Sequence, residues 1–181
     1  MWRLRPVPPR RRGREADIEQ KGECPVNAET LLTQVDIVRS LTLQAVELLH
    51  EEEADMQPEG FNNTIRWHLG HIYLVQERLA FHHAGYPVDV PPSYIDLFGN
   101  GTKPSDWKTE PPSLAELGCR LTEQPGRIRT LLGERLEEPP AVPFSRFQGK
   151  MNTLGAILMY SLFHEGQHYE AIKLIKKRLN L

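Results

Sequence analysis

The stretch TLGAILMYSLFHEGQHYEAIKLIKKRLN, residues 153–180, decides the fold, because apolar and functional residues share one helical period in it. Leu154, Ile157, Leu158, Ser161, His164, His168, Ala171 and Ile175 fall on one face, the pattern of an amphipathic helix rather than the alternation of a strand. Asn152 or Thr153 offers a cap for the first turn, and the cations of KLIKKR sit where the helix dipole favours them, so the helix is expected to end near Asn180. His164 and His168 lie about one turn apart on the core-facing stripe, close enough to share one ion. Imidazoles left without a partner there would carry a desolvation cost.

The same five residues, HEGQH, match H-E-x-x-H, in which two histidines hold zinc and the glutamate acts as general base of a protease. That reading needs a third ligand on a following element. The 13 residues after His168 (181 − 168), YEAIKLIKKRLNL, contain no further histidine and no glycine turn, and Glu170 is too close along the same helix. The protease is therefore set aside.

Upstream, WHLGHI (67–72) places His68 and His71 three apart on a second amphipathic helix with Leu74, Val75 and Leu79, so at least one of the two should point inward. Three inward histidines from two helices make a metal site open on one side. His50, His82 and His83 read as surface residues.

The rest of the chain divides by its breakers. A first helix runs from about Asn27 to Glu53, with Leu31, Val35, Val38, Ala45 and Leu49 in its stripe and Leu41 and Leu48 widening it. DMQPEG (55–60) ends that segment, and Asn62, Asn63 or Thr64 caps the second helix, which reaches about Ala84 before Gly85 and Pro87. Residues 86–112 form an ordered crossover with a short turn near Ser93–Phe98, pinned by Tyr86, Tyr94, Phe98 and Trp107. Ser113 and Glu116 form a capping box opening a third helix to about Glu137, which Pro125 and Gly126 should kink or split. EPPAVPFSRFQGK (138–150) is another connection, and no strand pattern competes. The expectation is an all-α four-helix bundle over residues 26–181, with a long ordered crossover between the second and third helices and a disordered Arg/Pro-rich leader over residues 1–25.

Composition limits function. The 181 residues suit one domain, and two cysteines, Cys24 and Cys119, imply no disulfide framework, so a reducing, cytoplasmic setting is expected. No apolar run approaches a membrane span. The net charge of −2 conceals six arginines in residues 1–14; without them, 16 basic residues face 24 acidic ones, or −8, an unpromising nucleic-acid binder.

NTIRWHLGHI (63–72), YIDLFGNGTKPSDW (94–107) leading into PPSLAEL (111–117), and TLGAILMYSLFHEGQHYEAI (153–172) together resemble the DinB-like superfamily over about residues 27–178. The resemblance implies a four-helix bundle, often dimeric, binding a divalent transition metal through one histidine of the second helix and the pair on the last. By position the ligands would be His71, His164 and His168, with His68 and Glu165 as flanking or pocket residues. It also implies a metal-dependent enzyme acting on a small molecule, either a low-molecular-weight thiol S-transferase in detoxification or a related hydrolase. The alternative is a non-catalytic bundle that binds a metal or small molecule. All-imidazole ligation suits several metals, of which zinc or nickel is expected; the apolar width of the first helix adds to the expectation of a homodimer.

Overall fold

The computed structural model describes residues 27–146 and 149–181; the leader expected over residues 1–25 lies outside them. Among the described residues the fold is all-α apart from one small hairpin. Four long helices carry it: α1 (Ala28–Gln44), α2 (Ile65–Glu77), α4 (Leu114–Leu132) and α5 (Leu154–Leu179), with a short α3 (Ser93–Phe98) in the crossover. Both α4 and α5 pack against α1 and α2, and α3 packs on α2.

Each long helix begins where a short polar side chain can replace a missing carbonyl partner. Asn27 accepts from the Thr30 amide at 2.7 Å, Thr64 from Trp67 at 3.3 Å, Ser113 from Glu116 at 3.1 Å and Thr153 from Ala156 at 3.1 Å. The last helix ends on Asn180 in the left-handed conformation, φ 59°.

Three expectations are corrected. The first helix stops at Gln44 instead of Glu53, and the chain turns into a 3₁₀ segment at Glu53–Asp55. The cause is tertiary. Arg66 on α2 is 3% exposed and draws this segment in, with its Nε and Nη2 donating to Asp55 at 2.7 and 2.8 Å, and Nη1 meeting Glu51. Within α1 the buried face is Leu31, Leu32, Val35, Arg39 and Thr42, whereas Leu41 is exposed and Leu48 is 88% exposed. Second, residues 138–150 do contain strands: β1 (Phe144–Arg146) pairs antiparallel with β2 (Gly149–Met151), Phe144 opposite Met151. Three-residue strands are too short to show a period of two. Third, α4 is not split at Pro125. Proline has no amide to give the Leu121 carbonyl; Arg39 Nη1 donates to that carbonyl instead, at 2.6 Å.

Arg39 also belongs to a polar belt between two apolar clusters. One cluster holds Leu69, Ile72, Phe98, Leu121 and Ile175; the other holds Leu32, Val35, Phe81, Ile128 and Leu158. Between them, Arg39 pairs with Glu165 through Nε at 2.9 Å and Nη2 at 3.1 Å, and Nη2 also reaches Gln124 Oε1 at 3.0 Å. Gln124 donates to Glu77 at 2.8 Å, and Arg127 pairs with the same carboxylate. The chain of contacts therefore crosses α5, α1, α4 and α2, and its buried polar groups are partnered, which offsets the cost of desolvating them.

Candidate metal centre

Gly70 determines how His71 is held. A Cβ at Gly70 would meet the Phe98 ring at 2.5 Å, so only glycine lets α3 come this close to α2. That approach places the Phe98 carbonyl 2.6 Å from His71 Nδ1. A carbonyl only accepts, so Nδ1 carries the proton and Nε2 presents a lone pair. On the other side, Trp67 stacks on His71 with ring centroids 4.5 Å apart and planes 13° apart, and its Nε1 donates to Thr102 Oγ1 at 2.9 Å. Thr102 and Trp107 in turn donate to the Leu97 carbonyl. The crossover is thus clamped behind one imidazole.

His164 Nε2 lies 3.2 Å from His71 Nε2 and 3.2 Å from His168 Nε2, and one donor nitrogen from each of the three lies within 4.8 Å of the others. A single N–H shared between two acceptors makes only weak contacts, whereas one cation can bind three lone pairs at once. Metal–nitrogen bonds of about 2.0–2.1 Å at tetrahedral angles put ligand nitrogens about 3.3 Å apart, close to both separations. The donor set and its spacing are compatible with a divalent metal site.

His68 joins from behind, with Nδ1 2.8 Å from His168 Nδ1. If His168 donates there, its Nε2 is bare for the cluster, and His68 fixes that tautomer. Protonation of the group is disfavoured throughout. Burial, then the neighbouring His71, pushes His68 down to about 4. Burial, then His71 and Arg146, pushes His164 to about 4. Burial and the other three histidines push His168 to about 2. His71 is also lowered, by burial, against the Phe98 hydrogen bond. Near neutral pH these are four neutral imidazoles, the form in which histidine ligates metals.

The structure therefore brings His68, His71, His164 and His168 together. Glu165 is elsewhere: its carboxylate accepts from Arg39 and, at 2.8 Å, from Thr42 Oγ1, both on α1. His50 and His82 are exposed, but His83 is half-buried, and its Nδ1 meets the Val142 carbonyl at 2.8 Å.

The cluster opens on a cavity of about 220 Å³. Val75, Leu79, Phe144 and Tyr160 give it apolar walls, and Arg78, Asn100 and Arg146 give it polar ones. Val75 and Leu79 were read from the sequence only as part of the second helix's apolar face, and the other five were not singled out; Phe144 and Arg146 come from the hairpin, whose strands leave no periodic signal. The Phe98 carbonyl was also missed, although Gly70 inside an otherwise bulky WHLGHI marks a close backbone approach.

Taken with the all-α fold, this is a helical protein with a three-histidine centre beside an open cavity. A DinB superfamily model matches residues 34–172, more than half of the sequence. The chain belongs to the DinB superfamily. No curated protein matches it.

Proposed function

We propose that the chain is a metal-dependent enzyme in which His71, His164 and His168 hold a divalent ion, zinc or nickel, and that it transfers a low-molecular-weight thiol to an electrophile. Hydrolysis is the nearest variant on the same centre. The observation that carries the reading is the convergence of three neutral histidine nitrogens beside an open cavity. A divalent ion bound there would supply Lewis acidity, lowering the pKa of a thiol or water near it.

The chain's own groups divide the remaining work. His71, locked by Phe98 and Trp67, and His168, oriented by His68, fix where lone pairs point. The cavity walls exclude bulk water from one side of the reactants. In the transfer, the thiol proton passes to solvent, sulfur forms the new carbon–sulfur bond, and the leaving group departs with the electron pair of the bond it breaks. Glu165 has no part, since its carboxylate is committed to Arg39 and Thr42.

The same reading takes the four long helices as the four-helix bundle that the sequence resemblance implies, and the protein as a cytoplasmic homodimer. Exposed Cys119, unpaired among the described residues, is consistent with a reducing compartment. Sedimentation at high concentration tests the dimer. The function is tested by metal analysis of purified protein, then by a panel of thiols with an aromatic chloride electrophile. Stoichiometric metal with thiol-dependent turnover is expected. Turnover of no thiol in fully metallated protein would refute the transferase.

A further inference from the structure

The cavity beside the histidines has a charge that the thiol chemistry leaves unused. Arg78 and Arg146 line it together with His71 and His164, Asn100 adds an amide, and no described lining residue is acidic. We infer that this cavity is an anion subsite in which Arg78 and Arg146 hold a carboxylate of the substrate while its reacting end faces His71 and His164. The inference rests on reading the histidine cluster as the reacting centre, and it names the substrate class: a small molecule bearing at least one carboxylate.

Six of the described arginines have acidic partners, and Arg78 does not. Arg39, Arg66, Arg120, Arg127, Arg129 and Arg135 are each ion-paired with Glu or Asp. Arg78 is exposed and forms no ion pair among the described residues. It opens the π-helical segment Arg78–His82, where α2 widens before Gly85; such widened turns recur at functional sites. Arg146 reaches the cavity from β1 and lines it together with His164. Two guanidiniums from separate elements thus meet in one concavity of a chain that is acidic outside its first 14 residues. Guanidinium is the side chain whose planar fork matches carboxylate geometry. Val75, Leu79, Phe144 and Tyr160 would cover the carbon skeleton between the two ends.

The test uses the full-length chain, metal-free and zinc-loaded, titrated calorimetrically with succinate and with its uncharged isostere succinamide. Succinate should bind at least about tenfold more tightly in both forms, as expected for charge-assisted hydrogen bonds. Arg78→Gln and Arg146→Gln should each weaken succinate by about tenfold with the thermal midpoint and zinc content unchanged, and the double variant should lose the preference. Equal binding of the two probes, or a preference that survives in the double variant, overturns the subsite. The metal-free comparison separates this failure from failure of the centre: a chain that discriminates the probes yet takes up no zinc would refute the thiol reaction and keep the carboxylate site.

Discussion

Glu165→Gln separates a folding role from a catalytic one for the glutamate in HEGQH. Arg39 and Glu165 are each 2% exposed, and the carboxylate accepts three hydrogen bonds, at 2.8, 2.9 and 3.1 Å. Glutamine keeps one acceptor and turns an amide toward donors that already need acceptors, while Arg39 retains only the Leu121 carbonyl and Gln124. Removing one partner of a buried pair costs about 3–5 kcal/mol, because the remaining charge stays desolvated. Against a typical stability of about 5–15 kcal/mol, that would be a large loss. Urea unfolding followed by far-ultraviolet dichroism should show it, while the folded fraction keeps its full complement of metal, since the carboxylate makes no hydrogen bond to the histidines. Replacing both partners, Arg39→Met with Glu165→Met, should recover much of the deficit, since apolar groups of similar volume avoid the desolvation penalty. The reasoning fails if Glu165→Gln unfolds within about 0.5 kcal/mol of the parent, and a loss of peptide hydrolysis at unchanged stability would restore the protease reading.

Alanine at His71, His164 or His168 should strip the ion, measured by metal analysis after dialysis, whereas His68→Ala should weaken it only about 10–100-fold, as expected for an orienting partner; metal loss on His68→Ala but retention on His71→Ala would relocate the third ligand. Gly70→Ala should destabilise the fold by about 1–3 kcal/mol through overpacking against Phe98 and weaken metal binding as His71 leaves its carbonyl; an unchanged unfolding midpoint would contradict the contact. The metal-free protein should lose stability on acidification. His68 and His164 titrate lower when folded than the ordinary 6.5, so the unfolded chain takes up protons first as pH falls, and the loss runs from about 6.5 down to about 4. For His68 this amounts to roughly 3 kcal/mol; a flat stability profile across that window would refute the buried neutral cluster.

The histidine cluster was legible because three- and four-residue spacings put chemistry and apolar surface on the same helix faces. What spacing could not show was which polar residue sat among the apolar ones. Arg39 falls on α1's buried face four residues after Val35, and its partners are separated from it by 82 to 126 residues in the sequence. Pro125 reads locally as a break, and only a guanidinium from another helix makes it harmless. The early end of α1 has the same origin, a buried Arg66 recruiting Glu51 and Asp55. The cavity arginines were illegible for another reason: one lies in a π-helical turn and the other in a three-residue strand.

The close approach at Gly70 also bears on where the chain could change length over time. Because Phe98 touches α2 and its carbonyl holds His71, and because Thr102 and Trp107 are tied to Leu97, residues 94–107 behave as part of the centre. An inserted or deleted residue there would swing the carbonyl off the imidazole. The stretch of residues 87–88, exposed and lacking helix or strand, has no such tie. Length variation is better tolerated there, so a relative with a longer crossover would be expected to carry its extra residues before α3 and leave the spacing from Phe98 to Trp107 alone.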